Sequence, residues 1–197
     1  MKQLLAASAF ALALALAACT SEPTPAPDAP GNAANAVAPE TPVPATPAPA
    51  PAPDANTLTL EGLGALRIGE PVPAGGSWAE RGAQASDTCR IVSSPDHPGV
   101  YAIVEGDRVR RITLGQNSTA RLIEGIGVGA SEAEVRAAFP GFREEAHKYV
   151  DAPAKYLTAP NAASGDPALR FETNAEGQVS LIHVGTMPVL GYVEGCS

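Results

Sequence analysis

Apolar positions along the chain fall into three regimes. From Leu4 to Ala18 the residues are apolar or small without interruption. From Thr20 to Asn56 no apolar period exists. From Thr57 onward, short apolar runs alternate with Gly, Asp and Asn. The third regime is where folding elements are expected. Val100–Val104 and Val109–Leu114 are separated by Glu105-Gly106-Asp107. Ala168–Glu172 and Val179–Val184 are separated by Asn174-Ala175-Glu176-Gly177. β-branched and aromatic runs bounded by such turn residues predict two β-hairpins. One helix is predicted from Glu132 to Phe139. Ser131 and Glu134 form a capping box, Val135, Ala138 and Phe139 fall on one face, and Pro140-Gly141 ends it. Glu70 to Gly76 holds two prolines and two glycines and is expected to be a loop. At most a short helix is expected at Trp78 to Arg81.

The hairpins belong to a weak duplication. Leu60-Glu61-Gly62-Leu63-Gly64 opens one half and Ile123-Glu124-Gly125-Ile126-Gly127 opens the other. Each half then runs through a connecting segment into its hairpin. Residues 57–197 are thus expected to form a single α+β domain with repeats at 57–120 and 121–197. The expected fold is a twisted antiparallel sheet from two hairpin-containing halves, with one or two short helices.

The first regime has Lys2 before about 15 apolar residues, too few to span a bilayer, which needs about 20. It reads as a secretory signal, residues 1–18. Leu16-Ala17-Ala18-Cys19 resembles the lipobox of bacterial lipoproteins. That resemblance implies cleavage before Cys19 and lipid on it, a palmitate-type anchor in the cell envelope. Residue 20 is Thr rather than Asp, which under the same resemblance implies the outer membrane, facing the periplasm. The second regime, residues 19–56, is Pro- and Ala-rich. Proline blocks helices and ladders and alanine buries little, so a disordered linker is expected as the tether. Fully extended, about 37 residues of it would reach roughly 110 Å.

Composition adds exclusions. The formal net charge is −8, and the only basic cluster, Arg108-Val109-Arg110-Arg111, reads as a solvated strand face with Arg108 and Arg110 on one side and Arg111 on the other. No nucleic-acid partner is expected. With Cys19 lipidated, Cys89 and Cys196 remain, and outside the cytoplasm such a pair is expected to form a disulfide bond. His97, His147 and His183 lack metal-ligand spacing, and His183 shares its strand face with Leu181. No Gly-x-Ser-x-Gly occurs. Glu144-Glu145 reads as a polar, solvated stretch after the helix. No catalytic residue, metal or cofactor is assigned.

Gly125-Ile126-Gly127-Val128-Gly129-Ala130-Ser131-Glu132-Ala133-Glu134-Val135 resembles the opening of a repeat in β-lactamase-inhibitor-protein-like and SmpA/BamE-like domains. The resemblance implies antiparallel strands with helices on one side and a domain that binds another protein or assists envelope assembly. A candidate binding patch is His147, Lys148, Tyr149, Lys155, Tyr156 and Tyr192, aromatic and cationic groups expected on a loop over the sheet. The expected function is a non-catalytic binding or scaffolding lipoprotein. It would be tied to membrane lipid through Cys19 and partnered by an envelope protein or peptidoglycan. The alternative is an inhibitor of a secreted hydrolase, and an enzyme is the less favoured third reading.

Overall fold

The computed structural model describes residues 54–82 and 86–196. The signal segment, Cys19 and the tether up to residue 53 lie outside the described residues. In chain order the elements are β1 (Thr57–Thr59), β2 (Gly62–Leu63), β3 (Leu66–Arg67), β4 (Ala79–Glu80), β5 (Cys89–Ser93), β6 (Val100–Glu105), β7 (Arg108–Leu114) and β8 (Arg121–Leu122). There follow α1 (Glu132–Ala138), β9 (Arg143–Ala146), β10 (Lys155–Thr158), a 3-10 turn at Ala162–Ser164, β11 (Ala168–Thr173), β12 (Val179–Gly185) and a second 3-10 turn at Val189–Gly191.

These strands form two sheets. The larger has eight strands in the order β4-β5-β6-β7-β12-β11-β10-β9, and every neighbouring pair in it is antiparallel. The order makes the duplication spatial. The first half lays down β4 to β7 and the second lays down β9 to β12. The halves meet on their last strands, β7 and β12, with Thr113 opposite His183. In the small sheet, β1 runs parallel to β8, so the openings of the two halves lie side by side, Leu58 opposite Leu122. The fold is therefore α+β and sheet-dominated, with one α-helix and one disulfide, Cys89–Cys196, among the described residues. Among the described residues no helix is long and apolar enough to cross a membrane.

Both hairpins form, each for a local reason. Gly106 and Asp107 take φ of 60° and 59°, the paired left-handed conformation that a two-residue hairpin turn requires. Across the longer second turn, the Asn174 side-chain oxygen accepts from the backbone N–H of Glu176 and Gln178, which fixes its shape. Each hairpin also carries a bulge. In the first, Ile103 faces Arg111 while Val104 faces Val109, so Arg110 is the extra residue. The bulge turns both Val109 and Ile112 into the core although they lie three positions apart.

One face of the large sheet is apolar. Ile112 and Leu114 of β7, Phe171 of β11, and Ile182 and Val184 of β12 form the main core with Leu58, Leu63 and Leu66 of the small sheet. Helix α1 has the expected capping box, Ser131 with Glu134, and packs Val135 into this core. Phe139 follows the helix and meets Phe171, with ring centroids 5.6 Å apart.

Two sequence expectations need correction. Trp78 to Arg81 holds no helix: Ala79–Glu80 is edge strand β4, paired to β5, because the free edge of β5 outweighs weak local preference. Arg111 is no part of a solvated face; it is 2 % exposed. Glu144-Glu145 is exposed as expected, and lies on edge strand β9. Its alternation sends Glu144 to Arg136 and Lys155, and Glu145 to Arg170.

Candidate functional site

The second face of the large sheet is polar, and its residues come from the same strands that build the core. Alternation along β7, β11 and β12 places Leu114, Phe171 and Ile182 inward and Thr113, Arg170, Glu172 and His183 outward. Register then lines the outward residues up. Ser93, Tyr101, Thr113, His183, Arg170 and Thr158 lie opposite one another on successive strands. A polar row therefore crosses the junction of the two halves.

At its centre is a buried hydrogen-bonded chain. The Glu172 carboxylate accepts from Nε2 of His183 at 2.9 Å through one oxygen and from Nε2 of His147 at 3.2 Å through the other. Nδ1 of His147 accepts from the backbone N–H of Tyr149 and Val150, which leaves its hydrogen on Nε2 for Glu172. The Thr113 hydroxyl donates to Nδ1 of His183 at 2.9 Å. Burial pushes the His183 pKa down to about 4, against the opposing pull of Glu172. Burial alone would raise the pKa of Glu172, but the histidine hydrogen bonds and charges outweigh it and hold the carboxyl below its usual range. Thr113 is inaccessible and His183 is 1 % exposed. The cluster thus has the composition of a nucleophile, base and acid, but its hydroxyl lies out of reach of a substrate, and it acts as a polar strut.

Arg170 completes the network. Its guanidinium donates to Glu145 at 3.0 Å and to Thr158 at 2.8 Å, and it lies over the Tyr156 ring, 4.1 Å from the centroid. His147 stacks on the same tyrosine at 4.7 Å.

The C-terminal segment crosses this face. The Arg111 guanidinium donates to the carbonyls of Val189 and Tyr192. The Tyr192 hydroxyl donates to Glu105 at 3.2 Å, and Lys148 pairs with Glu194 at 3.2 Å. Cys196 is bonded to Cys89 at the start of β5, with Cα atoms 5.6 Å apart. Between this segment and the sheet lies a cleft of about 460 Å³. Arg111, Glu172 and His183 line its floor, Tyr101 and Leu181 one side, and Val193 another. Past Tyr101 and Leu181 it continues into a wider groove of about 660 Å³, lined by Ser93, Ser94, His97, Gln116 and Asn117. Among the described residues no group of three His, Cys, Asp or Glu is placed to hold a metal ion.

The six residues of the candidate patch divide. His147, Lys148, Tyr149 and Tyr156 come together on the β9–β10 connection: the Lys148 N–H donates to the Tyr156 hydroxyl, and the Lys148 ammonium lies 5.0 Å from the Tyr149 ring centre. Tyr192 instead bonds Glu105 on β6, while Glu194, two residues on, pairs with Lys148. Lys155 does not join them, because it neighbours Tyr156 in a strand and so takes the opposite face, where it pairs with Glu132 and Glu144. Tyr156 is buried, whereas Tyr149 is 60 % exposed.

No protein-family model matches the chain, nor does any curated protein or solved structure. The cleft residues Tyr101, Arg111 and Glu172 are absent from the sequence-derived patch. One signal for them is present in the sequence: Arg170 and Glu172 interleave with Leu169 and Phe171, and Thr113 with Ile112 and Leu114. Polar groups at every second position of otherwise apolar strands indicate a second face that is also covered.

Proposed function

We propose that this chain is a lipid-anchored envelope lipoprotein whose folded domain binds an envelope component in the polar cleft and performs no chemistry on it. The observation that carries this reading is how the cleft is built. Two of its floor residues, Glu172 and His183, are held from behind by a chain of buried hydrogen bonds that runs from Thr113 to His147. One wall is a C-terminal segment fastened by Arg111, Tyr192 and the disulfide. Such a lining is set before a ligand arrives, so little ordering cost is left for binding. The Thr113 hydroxyl and both imidazoles are committed to internal bonds, which suits recognition better than proton transfer.

The anchor belongs to the same proposal and rests on Leu16-Ala17-Ala18-Cys19. Two or three acyl chains on Cys19 would hold the protein to a membrane, since each buried CH2 contributes about 0.8 kcal/mol. Replacing Cys19 with alanine should move the protein out of the membrane fraction of lysed cells. Unchanged fractionation would contradict the anchor.

A further inference from the structure

Among the described residues that line the cleft, Arg111 is a buried charge with no counter-ion. It is 2 % exposed, and its Nε has no hydrogen-bond partner. One terminal nitrogen, Nη1, donates to the Val189 and Tyr192 carbonyls. Among the described residues no carboxylate stands within ion-pair distance of it. Glu172 acts on it electrostatically but has both oxygens on the two histidines. A guanidinium taken out of water without a counter-ion is among the costlier single defects a small domain tolerates. Burial accordingly pushes its pKa down. Carbonyl dipoles answer only part of that charge.

The guanidinium also faces a space. It lines the cleft of about 460 Å³ together with Tyr101, whose hydroxyl lies near enough to influence it. From these placements we infer that the cleft takes a ligand through a carboxylate, received by the part of the Arg111 guanidinium that lines the cleft and by the Tyr101 hydroxyl. A planar fork and a planar carboxylate match in geometry and charge. Such a ligand would supply the missing counter-ion. The size suits a small organic acid or the last residues of a peptide. A doubly charged anion suits it less, because Glu172 is ionised on the same floor. The acidic balance of the whole chain does not oppose this, because exposed charges beyond about 8 Å are screened at physiological salt.

The inference rests on the cleft being the binding site of the proposed function. It is tested on the full chain, purified in detergent, by following the arginine Nε–H signals in proton–nitrogen NMR spectra. N-acetylalanine should shift the Arg111 signal saturably, and N-acetylalanine amide, the same molecule without the charge, should not. Arg111→Lys removes that reporter, so binding is then read from the backbone amides of Tyr101 and Leu181, which line the same cleft, and their saturable shifts should be abolished. Because that variant replaces a buried side chain, Tyr101→Phe is the second: it keeps the ring and should weaken binding about threefold or more. A tripeptide ending in alanine separates the sources. Tighter binding than N-acetylalanine assigns the site to peptide C-termini, and equal binding assigns it to small acids. No response to the acid, or an equal response to acid and amide, would overturn the inference. Crosslinking in cells from Leu181, persisting with no response to N-acetylalanine, would overturn the carboxylate alone and leave the cleft as a binding site.

Discussion

Replacing Glu172 with alanine is expected to destabilise the domain by about 3–5 kcal/mol, which is a large part of the stability of a domain this size. The loss does not come from the carboxylate's own packing. It comes from what is left behind: the Nε2–H groups of His147 and His183 both point at Glu172, and each buried donor without a partner costs about 1–3 kcal/mol. Glu172→Gln should cost much less. His183 can carry its hydrogen on Nδ1, donate to Thr113, and accept from the new amide through Nε2. The denaturation midpoints of the two variants test this. A Glu172→Ala loss below about 1 kcal/mol would mean that the chain of bonds contributes little. The same network makes the fold acid-labile. The unfolded chain takes up a proton at His183 near pH 6.5, but the folded one does so only near pH 4. Stability from this group is therefore complete above about pH 6.5 and falls by about 3 kcal/mol as the pH drops to 4. Glu172, held below its usual carboxylate range, adds a loss in the same direction at lower pH.

Breaking the disulfide is the second large effect. Cys89 and Cys196 are 107 positions apart, and a closed loop of about 100 residues restrains the unfolded chain by up to about 4.7 kcal/mol. Reduction, or Cys89→Ser, should lower stability by about 2–5 kcal/mol. The structural effect should be confined to one place. Arg111, Glu105 and Lys148 still hold the segment around Tyr192 and Glu194, whereas the last residues lose their only covalent tie. Amide exchange should therefore rise first at Val193–Gly195, the wall of the cleft, and only later in β7 and β12. A loss below about 1 kcal/mol would show that the non-covalent contacts suffice.

The elements legible in the sequence were those whose information is local. The first hairpin is written in its alternation and in Gly106-Asp107. The helix is written in Ser131, Glu134 and Val135, and the pairing of Cys89 with Cys196 follows once Cys19 is set aside. What sequence reasoning missed depends on partners far along the chain. Strand β4 is two residues long and exists because β5 has a free edge. Alternation alone puts Arg111 on a wet face, because a bulge at Arg110 cannot be seen without the opposing strand. Lys155 and Tyr156 are neighbours in sequence, which suggests one patch, but in a strand it sends them to opposite faces. The cleft itself requires the C-terminal segment to return over the sheet. The cysteine pair hinted at that return, but nothing local placed it over Arg111.

The proposed meeting place of the anchored domain and its ligand is the cleft beside Tyr101 and Leu181. A photoreactive residue in place of Leu181, in the full chain in living cells, probes that cleft. A defined crosslinked envelope component is expected from Leu181, lost in the Cys19→Ala protein, and none from the same group placed at Ile123, which is exposed and outside the cleft. No product from Leu181, or equal products from both positions, would contradict that assignment.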